Sequence, residues 1–150
     1  MAAYVATVAN GGTYYTPYVV EKIYNPDGTL KSRHEPQGRR VDVEQWILDV
    51  TKQAMTAAAK PGGTAYGAFA GLPGGIGGGA KTGTAQPGRT GYIKNKDFDG
   101  LFICFAPAEN PQIAFACVME HGHSGAGSAG LVAKSVLEYI FIEQDKDGTS

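Results

Sequence analysis

Two apolar runs, Leu101-Phe-Ile-Cys-Phe-Ala106 and Ile113-Ala-Phe-Ala-Cys-Val-Met119, constrain this chain more than any other feature. Neither alternates with polar residues, so both faces of each must be covered, as in buried strands. The link Pro107–Gln112 is short, which makes the pair an antiparallel hairpin. Something apolar must lie on it. The last amphipathic stretch, 127–141, reads as a helix capped by Ser128. Its stripe of Leu131, Val132, Ser135, Val136, Tyr139 and Ile140 would cover the sheet.

Upstream of the hairpin, Gly74-Gly-Ile-Gly-Gly-Gly-Ala-Lys-Thr-Gly-Thr-Ala-Gln86 brings one lysine and two hydroxyls together after a glycine-rich approach. Lys81 carries a fixed positive charge, and Thr82 and Thr84 can donate hydrogen bonds. Gly83 leaves the main chain bare, so a ligand can press against it. The set suits an anion, most simply a carboxylate, held by charge-assisted hydrogen bonds. As an extended strand, the segment points Lys81 and Gly83 to one face and Thr82 and Thr84 to the other. A twisted edge strand would let both rows border one cleft. With the hairpin it gives an antiparallel unit over 80–120. Two nucleotide readings compete. The dinucleotide fingerprint requires a helix to open after the glycines, and none is patterned here. The phosphate-binding loop requires glycine before Lys-Thr, where this chain has Ala80.

Residues 1–12 hold a short helix with Ala2, Val5, Ala6 and Ala9 on one face, stopped by Gly11. It has no cap before it, so the chain is expected to start inside a larger domain. Segment 13–41 reads as a β-hairpin about the turn Asn25-Pro26-Asp27-Gly28, followed by a polar loop holding His34, Arg39 and Arg40. A helix over 42–60 has Asp42 and Gln45 in capping-box spacing. Its apolar stripe is Trp46, Ile47, Val50, Ala54, Ala57 and Ala58, with Trp46 read as core. Thr64–Gly79 and Pro87–Asp99 read as loops. The second would overhang a cleft, with Tyr92 touching substrate or merely packing. The tail from Glu143 is charged and expected to fray.

The chain has 13 basic and 14 acidic side chains, so no nucleic-acid groove or polybasic membrane patch is encoded. It shows no basic leader of a signal peptide, and no bilayer-spanning run of about 18 apolar residues. Cys104 and Cys117 are too few for a disulfide scaffold. A bridge across the hairpin and a pair of buried free thiols both remain open, and free thiols are our reading. His121 and His123 could bind metal, but no further ligand clusters with them, and they are read as a polar loop. No metal or cofactor is expected.

Lys81-Thr82-Gly83 matches the third signature of penicillin-recognising serine enzymes. The longer match runs through Lys-Thr-Gly-Thr-Ala-Gln to Phe105-Ala-Pro-Ala-Glu-Asn-Pro111, with Ala9-Asn-Gly-Gly12 and Gly62-Gly-Thr-Ala65 upstream. In this order they resemble the class B penicillin-binding proteins, peptidoglycan transpeptidases of cell division, elongation and sporulation. The resemblance implies a partial transpeptidase fold of α+β class, with an antiparallel sheet packed by helices. Lys81, Thr82, Gly83 and Thr84 would bind substrate, with Lys81, Thr82 and Thr84 on its carboxylate and the Thr84 backbone as oxyanion-hole donor. Ser-x-x-Lys and Ser-x-Asn, the nucleophile and proton-transfer signatures, are absent from the chain. The resemblance therefore implies a C-terminal portion of the domain, inactive alone and needing the missing N-terminal part. D-Ala-D-Ala stem peptides and β-lactams would bind only the complete domain, on the extracytoplasmic face of the membrane and beside other cell-wall proteins. The alternatives are a non-catalytic peptide- or partner-binding module and a nucleotide-binding protein.

Overall fold

In the computed structural model, which describes residues 1–86 and 98–143, the first apolar run becomes β6 (Asp99–Ala106) and the second β7 (Ile113–Met119). The lysine segment is β5 (Gly79–Ala85), and the three form an antiparallel sheet of order β5-β6-β7. Across β5 and β6, Lys81 lies opposite Ile103, Thr82 opposite Phe102 and Thr84 opposite Gly100.

β6 is apolar on both faces because each face enters a different core. Phe102, Cys104 and Ala106 join Ala129, Ala133 and Leu137 of the C-terminal helix, with Phe69 and Leu72 from the connection before β5. Ile103 and Phe105 join Val5, Val8 and Ala9 of α1 (Ala2–Ala9) and Met55 of α2 (Gln45–Ala59). Phe102, Cys104, Phe105 and Ala106 have no exposed surface at all. The result is an α+β arrangement with helices on both faces of the sheet.

Both longer helices bury a different stripe from the one the sequence suggests. α2 turns Leu48, Met55 and Ala59 inward, and Trp46 is 65 % exposed and Val50 55 %. The helix carries a second apolar face, and the larger side chains are on the outer one. Its N-cap is Glu44, without a side-chain cap. Asp42 does not cap it, and Gln45 instead bridges Arg40 Nη2 at 2.6 Å and Asp49 Oδ1 at 2.9 Å. The C-terminal helix is α3 (Gly130–Glu138) between π-helical turns at Gly125–Ala129 and Tyr139–Glu143. Ser124, not Ser128, caps it, accepting from Gly127 N–H at 2.8 Å. Small residues at four-residue spacing, Ala129, Ala133 and then Leu137, let it lie close on the sheet, while Leu131 and Tyr139 stay exposed. By length and mean hydropathy (1.2), Gly125–Ile142 could cross a bilayer. Its buried alanines and Leu137 mark it as a helix of the core.

The polar stretch after His34 is not all loop. β4 (Gly38–Arg40) pairs antiparallel with β1 (Thr13–Tyr15), setting Arg39 over the Tyr14 ring at 5.0 Å. Tertiary contacts, not β propensity, make this strand. β2 (Lys22–Tyr24) and β3 (Leu30–Arg33) form a separate exposed hairpin on the Asn25–Gly28 turn, where Gly28 takes φ +84°. The loop reading of 87–97, with Tyr92, lies outside the described residues, as do residues 144–150 of the tail; β6 already begins at Asp99.

Cys104 and Cys117 are free thiols. Burial pushes the Cys104 thiol up from 9.0 to about 12. Between those values the unfolded chain loses a proton that the native state keeps, so stability falls as pH rises past 9. Urea titrations at about pH 8 and about pH 10 should show a loss on the order of 1 kcal/mol that Cys104→Ala lacks. Identical pH slopes for the two proteins would contradict this.

Candidate active site

β5 is an edge strand. β6 occupies one side of it, and no other described strand pairs with the opposite side. Its entry is built by close approach: a Cβ on Gly79 would sit 2.2 Å from Cζ of the fully buried Phe105 ring. Glycine there lets the ring close over the start of the strand and anchors β5 to the α1/α2 core. Ala80, fully buried, continues the anchor on the opposite face. Beyond it the strand emerges, with Lys81 exposed, Thr82 and Gly83 partly covered and Thr84 exposed.

Each polar group on the strand has its own neighbour. Lys81 Nζ donates to the Thr82 carbonyl. Thr82 Oγ1 meets Thr64 Oγ1 at 3.4 Å, just past the end of α2. Thr84 Oγ1 accepts from the Gly125 N–H at 3.4 Å, at the first turn of the C-terminal helix. Lys81 and Thr82, although on opposite sides of the pleat, line one cleft of about 680 Å³ with Thr64, Tyr4, Val50 and Ile103. The twist of an edge strand brings the two rows to one opening. Gly83 and Thr84 lie beyond that cleft, further along the same edge. The arrangement offers a ligand one ammonium, two hydroxyls and a strand edge that no other described strand pairs.

Thr64 and Gly125 are the neighbours that sequence reasoning did not pick out. Thr64 belonged to the Gly-Gly-Thr-Ala segment but had no assigned contact. Gly125 fell in what read as a plain Gly/Ser loop. The glycines before Lys81 lead through a single 3₁₀ turn, Pro73–Gly75, into a strand. Neither nucleotide fingerprint therefore has the helix N-terminus that would hold a phosphate.

Known proteins share this fold. The family model described as "Penicillin binding protein transpeptidase domain" matches residues 1–140. The probable peptidoglycan D,D-transpeptidase PenA of Neisseria meningitidis serogroup A is 32 % identical over 127 residues, covering 82 % of this chain and 21 % of PenA. The peptidoglycan D,D-transpeptidase PbpA of Mycolicibacterium smegmatis is 33 % identical over 129 residues, covering 86 % of this chain and 25 % of PbpA. Among solved structures, the imipenem acyl-enzyme complex of penicillin-binding protein A from M. tuberculosis superposes with a TM-score of 0.74 at 27 % identity. It covers 93 % of this chain and 29 % of that one. The chain thus spans between a fifth and a quarter of the length of the curated relatives it matches.

Gly79→Ala should lower stability by about 1–3 kcal/mol, the cost of overpacking a filled core. Gly77→Ala, with open space at its Cβ position, should be nearly neutral. Denaturant midpoints of the two variants check this, and equal midpoints would show that Phe105 can move aside.

Proposed function

The chain belongs to the penicillin-binding protein transpeptidase family, with class B penicillin-binding proteins as its neighbours. From that premise we propose that it supplies the carboxylate-binding and oxyanion wall of a peptidoglycan D,D-transpeptidase site. The observation that carries this reading is the Lys81-Thr82-Gly83-Thr84 strand lying along an open sheet edge beside a cleft. A stem peptide ending in D-Ala-D-Ala would add to that edge by backbone pairing. Its terminal carboxylate would be held by the Thr82 and Thr84 hydroxyls in the field of Lys81. The Thr84 N–H would face the oxyanion that forms when a serine attacks the peptide carbonyl. One such donor is worth about 10²–10³ in rate.

The serine would come from the rest of the domain, because this chain has neither Ser-x-x-Lys nor Ser-x-Asn. The outer face of α2 supports such a partner. Trp46, Ile47 and Val50 are exposed there, and Tyr4 of α1 lies near Val50 on the wall of the cleft. An apolar wall leading to Lys81 suits a body that buries it and brings a nucleophile to the strand. The complete protein would act on peptidoglycan outside the cytoplasmic membrane and would be acylated by β-lactams at that serine.

A fluorescent penicillin tests this. The complete domain should be labelled covalently and this chain alone should not. Lys81→Ala in the complete domain should slow acylation about 10- to 100-fold, the value of a lost charge-assisted hydrogen bond. Label on the isolated chain would refute the missing nucleophile. D-Ala-D-Ala binding without acylation by any form of the protein would favour a non-catalytic peptide-binding module.

A further inference from the structure

The two hydroxyls of the Lys-Thr-Gly-Thr strand are tied to different elements, and the tie at Thr84 is the more constrained. The first turn of the C-terminal helix rests directly on the sheet. A Cβ on Gly125 would lie 2.4 Å from the Gly83 carbonyl oxygen, 2.5 Å from that of Leu101 and 2.7 Å from the Gly83 nitrogen. These are backbone atoms of two paired strands, so none can swing away as a flexible side chain would. The turn is held in the same place from its own side. Ser124 Oγ accepts from Gly127 N–H at 2.8 Å, and Ser128 Oγ donates to the Ser124 carbonyl. Gly100 and Gly122 make room for that serine, since a Cβ on either would lie within about 2.5 Å of Ser128 Oγ.

On this mount, the Gly125 N–H points to Thr84 Oγ1 at 3.4 Å. A hydroxyl has one proton and two lone pairs. Once a lone pair accepts a backbone N–H, the hydroxyl proton is left to be donated elsewhere, and Thr84 stands at the exposed end of the open edge. An anion arriving along β5 would then meet a donor and not a lone pair.

We propose that Gly125 is a positioning residue: through its N–H and its missing side chain it sets the Thr84 hydroxyl as a donor to the acyl donor's carboxylate. The inference rests on the reading of β5 as the carboxylate-binding strand. It predicts a selectivity effect that simple loss of structure would not produce.

The test uses the complete transpeptidase domain carrying this chain. Acylation rates are measured for a β-lactam with a free carboxylate and for its methyl ester. The wild-type domain should prefer the free acid by about tenfold or more, as expected for a hydrogen bond to a charged group. Gly125→Ala should bring that preference down to the level of Thr84→Val, and adding it to Thr84→Val should lower the preference no further. Ser128→Ala removes only the hydroxyl that ties the turn to Ser124, so it covers the case in which Gly125→Ala does not fold. It should lower the preference by about threefold, a neutral hydrogen bond's worth, with the ester rate unchanged. Gly67→Ala, which meets nothing within 4 Å, is the control and should leave both rates unaltered. Equal slowing of acid and ester by the Gly125 and Ser128 variants, or no change in either rate, would overturn the positioning role. A wild-type domain without preference for the free acid would instead overturn the underlying assignment of the strand, and this inference with it.

Discussion

The double burial of β6 is the constraint on which the rest of this structure depends. A strand whose alternate side chains enter two separate cores cannot slip by one residue, because every side chain would change cores. Phe102 would leave the C-terminal helix for α1, and Phe105 would do the reverse. That fixed register passes to β5 through its backbone pairs, so Lys81 is held opposite Ile103 and Thr82 opposite Phe102. The position of the polar edge is therefore a consequence of packing on the neighbouring strand. The polar residues themselves contribute little to it, having only long or local hydrogen bonds.

The sheet was legible in the sequence because its determinants are local: short unbroken apolar runs, a short link and a lysine strand with a distinctive neighbourhood. The helix faces were not. α2 is apolar on two sides, so ranking residues by size selects Trp46 and Val50, whereas the buried face is that of Leu48, Met55 and Ala59. In the C-terminal helix the same preference for bulk selected Leu131 and Tyr139. Close approach to the sheet instead requires alanine, and a π-helical first turn resets the phase. β4 was hidden because Gly-Arg-Arg has no strand character of its own. Its ladder depends on Tyr14 and Tyr15, more than twenty residues away in sequence. For the site, the Lys-Thr-Gly-Thr residues could be read directly. Thr64 and Gly125, the hydrogen-bond neighbours of the two hydroxyls, could not, since a neighbour across 18 or 41 positions leaves no local pattern.

The two margins of the sheet differ in chemistry, and the difference bears on function. An unpaired strand edge is a template for any other strand, and proteins blunt such edges with charge, especially lysine. β5 carries that protection: Lys81 interrupts the margin, and glycine and threonine follow it. A peptide with a carboxylate is attracted where an apolar strand is not, so the same lysine can admit one and discourage the other. β7 has no such device. Its Ile113, Phe115 and Met119 are only partly buried, although α1 and the C-terminal helix pack on its faces. A hydrophobic margin of that length is stable only when covered. Its composition resembles an internal surface, as does the outer face of α2. The polar margin has the chemistry of a surface suited to stay open, which is why we propose the carboxylate-binding role for β5 and not for the apolar edge of equal length across the sheet.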